Sequence, residues 1–174
     1  MRKIKLQMNL SLGDKWDDGM TEFCIDNLRN VDAILLGRTT AEGFIPYWAD
    51  IAKNPSDSFH ALAQPLHTIP KIVFSNTLKE NKWDNATVVA GDFSEGIKAL
   101  KNEKGKDIMV YGGNAFAASL IEHDFVDECH LMINPAALGN GKAEFNPLHN
   151  NFRLKLAACK PFDCGVVLLS YSRT

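Results

Sequence analysis

The chain has 174 residues, 45% of them apolar and 23% charged, with a formal net charge of −2. That length suits one domain spanning 1–174 with a sizeable core. The near-neutral balance and scattered lysines argue against nucleic acid as a partner, and no apolar stretch is long enough to span a membrane.

The opening MRKIKLQMNLSL alternates, with Ile4, Leu6, Met8, Leu10 and Leu12 on one face. That predicts a half-buried strand. Lys5, Gln7 and Asn9 interrupt any apolar run, so it does not read as a signal peptide, and a cytoplasmic protein is expected. DKWDDG reads as a loop and TEFCIDNLRN as a helix turning Phe23, Leu28 and Cys24 inward. VDAILLG is a short apolar run, as in a strand buried on both faces. RTTAEGF reads as a short helical turn. Residues 45–69 read as irregular, with Pro46, Pro55 and Pro65 as breakers and one helix around 57–64.

PKIVFSN, ATVVAG and DIMVYGG read as further buried strands. FSEGIKALKNEKG is an amphipathic helix, and NAFAASLIEH a helix presenting Phe116, Leu120 and Ile121. VDECHLMINP alternates Cys129, Leu131 and Ile133. ALGNGKAEF is turn-rich, with Gly139-Asn140-Gly141 a turn. FRLKLAACKPFDCGVVLLSYSR reads as two strands around a tight turn at 161–165. Alternating strands and helices followed by strands predict a mostly parallel α/β sheet closed by an antiparallel C-terminal hairpin.

Cys24, Cys129, Cys159 and Cys164 form no CxxC pair, and His60, His67, His123, His130 and His149 show no metal-ligand spacing. The cysteines read as reduced thiols, with a Cys159–Cys164 bridge the one alternative. The histidines read as surface or capping residues, and no metal is expected.

Ligands of open α/β sheets bind beyond the carboxyl ends of the strands. Three buried strands end alike: in Gly37-Arg38-Thr39-Thr40, in Ser75-Asn76-Thr77 and in Gly112-Gly113-Asn114-Ala115. Each offers backbone amides, a hydroxyl or a guanidinium, and two lead into helix starts that favour an anion. A phosphorylated ligand is the stronger reading, and a plain strand-to-helix turn at Gly112-Gly113 the alternative. Neither GxGxxG nor a P-loop lysine is present.

These pieces resemble the dihydrofolate reductase-like fold, and within it the reductase domain of riboflavin biosynthesis, the RibD C-terminal family. The matching segments are KIKLQMNLSL, DAILLGRTTAEGF, PKIVFSNTL and IMVYGGNAFAASLIEHDFVDECHLMINPAALGNGKAEF, in family order from Arg2 to Phe145. The resemblance implies a three-layer α/β/α domain, a homodimer, and an NADPH-dependent reductase acting on a small heterocyclic or conjugated C=N or C=O compound, pterin-like or ribosylamino-pyrimidine-like. It implies that Gly37, Arg38, Thr39 and Thr40 lie against the cofactor phosphates, and Ser75, Asn76 and Thr77 near the adenosine ribose and its 2′-phosphate. Gly112, Gly113, Asn114 and Ala115 would hold the pyrophosphate, with a cis bond joining the glycines. Arg38 suits the 2′-phosphate, because a guanidinium matches phosphate geometry; its alternative is a surface salt bridge.

Relatives usually read SLDG where this chain has Ser11-Leu12-Gly13-Asp14, in a loop that borders the family's substrate pocket, so substrate identity stays open. The HxE…PCxxC pattern of an attached deaminase is absent, which weakens assignment to the riboflavin step itself. Glu22 is the first candidate proton donor, with Asp14 in the loop and Asp26 as rivals; a helix-dipole role for Glu22 is the alternative. Met8, Asn9, Phe23 and Trp48, with Phe44 and Tyr47, are candidate walls for a flat substrate, or core. A nucleotide- or pterin-binding protein without turnover is the rival function. A flavodoxin-like flavin binder is disfavoured by the terminal hairpin.

Overall fold

The computed structural model describes residues 1–10, 15–137, 148 and 152–174. Asp14, His149 and the turn at 139–141 lie outside the described residues. In chain order the elements are β1 (Ile4–Leu10), α1 (Asp18–Leu28), β2 (Val31–Gly37), α2 (Arg38–Ala52), α3 (His60–Thr68), β3 (Lys71–Phe74), β4 (Ala86–Val89), α4 (Phe93–Asn102), β5 (Asp107–Tyr111), α5 (Asn114–Glu122), β6 (Glu128–Ile133), β7 (Leu154–Pro161) and β8 (Val167–Arg173).

The described strands form one sheet in the order β4-β3-β2-β5-β1-β6-β8-β7. β4 to β6 are mutually parallel, and β8 runs against both β6 and β7. The last strand therefore slots beside β6 and leaves β7 as an edge.

Side-chain alternation splits the core into two layers. Ile4, Leu6 and Met8 of β1, with Leu35, Ile108 and Val110, pack under Ile97 of α4 and Leu120 of α5. Ile34, Leu36, Val73 and Met109 pack on the other face under Met20 and Cys24 of α1, Ile45 of α2 and Leu62 of α3. The result is the expected three layers. Among the described residues no helix is long and apolar enough to cross a membrane.

Several expectations are corrected. The segment read as a short turn and then irregular chain is a 15-residue helix running through Pro46. Pro46 lies on the exposed face, where water can take the carbonyl the ring leaves unbonded, while Ala41, Ile45 and Ile51 anchor the buried face. β4 is a half-exposed edge strand, not a buried one. His130 is a buried residue of β6 rather than a surface or capping one: Nδ1 is 3.0 Å from Ser170 Oγ, and burial lowers its pKa. The four cysteines are free thiols, and burial pushes Cys24 up to about 11 and Cys129 up to about 12. All peptide bonds among the described residues are trans, Gly112–Gly113 included.

Lys71, at the start of β3, is 2% exposed, and its ammonium donates to the His67 carbonyl at the end of α3, at 2.5 Å. Among the described residues no carboxylate offsets its burial, which pulls its pKa down to about 8 from 10.5. Between those values the unfolded chain holds a proton that the folded chain has released. This group therefore makes stability rise with pH across that window and lowers it below the folded value. Lys71→Met should flatten that slope. Asn85, which also donates to His67 O at 3.1 Å, keeps the helix end satisfied. Denaturant midpoints at about pH 7 and about pH 10 test this: an unchanged pH slope in the variant would refute it.

Candidate functional site

β2 and β5 are parallel neighbours, with Leu35 opposite Val110. From their adjacent carboxyl ends α2 leaves over one face of the sheet and α5 over the other. That divergence opens a crevice at a topological switch point.

Both helices start on a glycine. Gly37 caps α2 and Gly113 caps α5, and neither start has a side-chain cap. α1 and α4 differ: Asp17 accepts from Met20 N–H at 2.9 Å and Asp92 from Glu95 N–H at 2.8 Å. α3, after Phe59, has no side-chain cap either, but the starts of α2 and α5 line one cavity. Phe116 N–H is taken by the Gly113 carbonyl at 3.1 Å, and the dipoles of both helices favour an anion at the remaining first-turn amides. The two starts are tied together, because Gly113 N–H donates to Thr40 Oγ1 at 3.0 Å.

A cavity of about 410 Å³ lies between them, lined by Gly37, Arg38, Thr39 and Thr40 from one side and Gly113, Asn114, Ala115 and Phe116 from the other. A second cavity of about 250 Å³ shares Phe116 and Ser119 with it and is lined by Phe74, Ser75, Asn76, Val89 and Gly91. Residues from all three strand ends singled out in the sequence therefore line these two adjoining cavities, which form the cleft.

Close approach explains glycine at Gly37, whereas at Gly113 an added Cβ would meet Thr40 Oγ1 at an ordinary 3.5 Å. Gly113 is extended, at φ −72°. At Gly37 an added Cβ would stand 3.1 Å from Cβ of Phe116, so β2 and α5 touch there through the missing side chain. Ser75 Oγ accepts from Thr77 N–H at 3.2 Å and Leu78 N–H at 3.1 Å, forming a hydroxyl-capped turn. Asn76 Oδ1 accepts from Gly91 N–H at 2.8 Å and so pins the end of β4. Thr77 and Gly112 flank the cleft without lining either cavity.

The remaining candidates lie elsewhere. Glu22 is exposed on α1 and lines neither cavity. Phe23 packs edge-on to His130 at 5.8 Å and Phe162 at 6.5 Å, joining α1 to the sheet. Met8 is buried in the layer under α4 and α5, whereas Asn9 accepts from Asn134 Nδ2 at 2.6 Å. Trp48 meets Phe44 at 6.1 Å and Tyr47 at 5.0 Å.

Phe44 in turn stacks on Tyr111, the last residue of β5, at 5.2 Å and 26°. Burial raises the Tyr111 phenol well above its ordinary pKa. Beside it on the α1 face Gln7 donates to Cys24 Sγ at 3.4 Å and accepts from Asn27 Nδ2 at 3.3 Å. Tyr111, Gln7 and Asn27 were not singled out from the sequence. The signals were available: Tyr111 directly precedes the glycine pair, and alternation puts Gln7 on the face opposite Ile4. Among the described residues no group of three or more His, Cys, Asp or Glu is placed to hold a metal ion.

Comparison with known proteins gives a consistent result. The RibD C-terminal domain family model matches residues 13–168. The chain is 35% identical to the uncharacterized protein YyaP of Bacillus subtilis over 157 residues, covering 89% of this chain and 79% of that one. Among solved structures it is similar to a pyrimidine reductase-like protein of Corynebacterium diphtheriae, with a TM-score of 0.65, 17% identity and coverage of 99% and 92% of the two chains. It is similar also to dihydrofolate reductase from Enterococcus faecalis complexed with NADP(H) and RAB-propyl, with a TM-score of 0.63, 14% identity and coverage of 99% and 96%. The fold is dihydrofolate reductase-like.

Proposed function

The chain belongs to the RibD C-terminal domain family, and from that membership we propose that it is an NADPH-dependent reductase acting on a small heterocyclic or conjugated C=N or C=O substrate. The observation that carries this reading is the pair of uncapped helix starts, tied by the Gly113–Thr40 hydrogen bond and opening on one cavity. Backbone amides at two helix starts and two threonine hydroxyls form a donor set suited to the pyrophosphate of a dinucleotide, and the Arg38 guanidinium suits a 2′-phosphate. Ser75 and Asn76, in the adjoining cavity, suit the adenosine ribose.

The nicotinamide supplies the hydride when the cofactor is bound. The protein's tasks are then to orient the ring, to exclude water and to place the acceptor. Phe44, Trp48 and Tyr111 provide flat apolar surface at the end of β5, and Gln7 and Asn27 provide amide groups for a heterocycle's edge. Glu22 and Asp14 are the acids assigned to the proton. One observation favours the alternative, a nucleotide- or pterin-binding protein without turnover: among the described residues no carboxylate lines either cavity. NADPH consumption in a screen of pterin-like and pyrimidine-like acceptors separates the two.

Fluorescence titration with NADPH and NADH tests the cofactor. Micromolar NADPH binding, weaker NADH binding and loss of that preference in Arg38→Ala are expected. Absence of binding to both dinucleotides would remove the reading and leave the glycines as turns.

A further inference from the structure

Arg38 occupies the first position of α2, where the helix dipole disfavours a cation. It is also the one cation among the described residues lining either cavity of the cleft. A positive charge set against the dipole calls for a compensating one, and Glu42 supplies it a turn later. Arg38 Nη1 donates toward both oxygens of that carboxylate, at 3.1 Å and 3.3 Å. The two side chains are 44% and 41% exposed, so a ligand entering the cleft can reach the guanidinium. Glu42 itself lines neither cavity.

We propose that Glu42 is a specificity-determining residue: it holds Arg38 in the nucleotide-free protein and competes with the 2′-phosphate for the guanidinium, which sets how strongly the chain prefers NADPH to NADH. This rests on the cofactor reading above. A phosphate that grips Arg38 with paired N–H groups must either take Nη1 from Glu42 or sit beside that carboxylate and be repelled by it. Either way Glu42 weakens binding of the dinucleotide that carries the extra phosphate. NADH makes no such demand on Arg38, so Glu42 leaves it unaffected. The competing reading is a bystander pair, since many exposed pairs three or four residues apart on a helix contribute nothing measurable.

Wild type, Glu42→Gln, Arg38→Ala and the double variant would each be titrated with NADPH and with NADH. Glu42→Gln should tighten NADPH binding about two- to fivefold, the range open to an exposed ion pair, and leave NADH unchanged. The unchanged NADH affinity doubles as the control for folding. The gain should vanish in the Arg38→Ala background and shrink with added salt. An unchanged NADPH affinity in Glu42→Gln, or an equal change for both dinucleotides, overturns the inference while leaving the cofactor reading standing. Failure of the wild type to bind either dinucleotide overturns that reading itself.

Discussion

Asp127→Ala is expected to destabilise the protein by about 3 kcal/mol or more, because it strands a buried ammonium. Lys101 is 5% exposed on α4, and its Nζ donates to Asp127 Oδ2 at 2.5 Å and to the Phe125 carbonyl at 2.9 Å. The same carboxylate oxygen accepts the Ile4 N–H at 2.8 Å, so one side chain joins α4, β1 and the turn before β6. In a chain of this length such a loss lowers Tm by roughly 6–12 °C. Asp50→Ala is the contrast. It breaks the pair between Asp50 and Lys53, whose side chains are 78% and 73% exposed, and should change stability by less than about 0.5 kcal/mol. Replacing both partners, Lys101→Met with Asp127→Leu, should recover only part of the loss, since Ile4 N–H is left without its acceptor. Thermal melts decide the matter: equal Tm values for Asp127→Ala and Asp50→Ala would show that burial adds nothing.

Gly37→Val should damage both the fold and the cleft. The first added carbon already stands 3.1 Å from Cβ of Phe116 and 3.3 Å from its Cγ. Those atoms lie at the root of a side chain on the first turn of α5, so they cannot swing away and the helix start must move. Overpacking of that kind costs about 1–3 kcal/mol. Displacing α5 from α2 also breaks the register between Gly113 N–H and Thr40 Oγ1. NADPH binding should weaken by roughly tenfold or more, about 1.4 kcal/mol or more. Gly112→Ala is the internal comparison, because its added Cβ would meet Phe116 at an ordinary 3.6 Å. If Gly37→Val binds NADPH as tightly as Gly112→Ala does, the two helix starts do not act as a unit.

The parts of this fold that show in the sequence are those governed by short-range pattern. VDAILLG and DIMVYGG are apolar runs with a single sensible reading, and the alternation of residues 4–8 sorts β1 onto its two faces. The three strand ends could be named before they were seen together because parallel strands put their carboxyl ends on one edge. What stayed hidden depends on distant partners. Pro46 reads as a breaker until the sheet beneath Ala41 and Ile45 is present to hold the helix on both sides of it. Lys71, Lys101 and His130 are polar letters in half-polar segments, and their burial follows from what α3, the turn before β6 and β8 lay over them. Arg38 could be linked to a phosphate from its neighbours; its pairing with Glu42 is local, inside the helical turn expected over RTTAEGF, and was open to view at the four-residue spacing without being singled out. The aromatic wall of Phe44, Trp48 and Tyr111 was half visible, and the missing half was the residue that the glycine pair overshadowed.

The position of β1 has a consequence for synthesis. Its two neighbours are β5 and β6: Ile4 pairs with Ile108 and Lys5 with Glu128. As the chain leaves the ribosome, β1 precedes both of its partners and therefore has both edges bare until residues far downstream emerge. A hairpin would give it a local partner, but a parallel strand must wait for its crossovers. Its long wait makes it the segment most exposed to wrong pairing in the nascent chain. The charged and amide groups that alternate along it, Lys3, Lys5, Gln7 and Asn9, work against such pairing during that interval. Closure around β1 is thus a late, long-range event, and no cut before β6 leaves a piece that owns a finished centre.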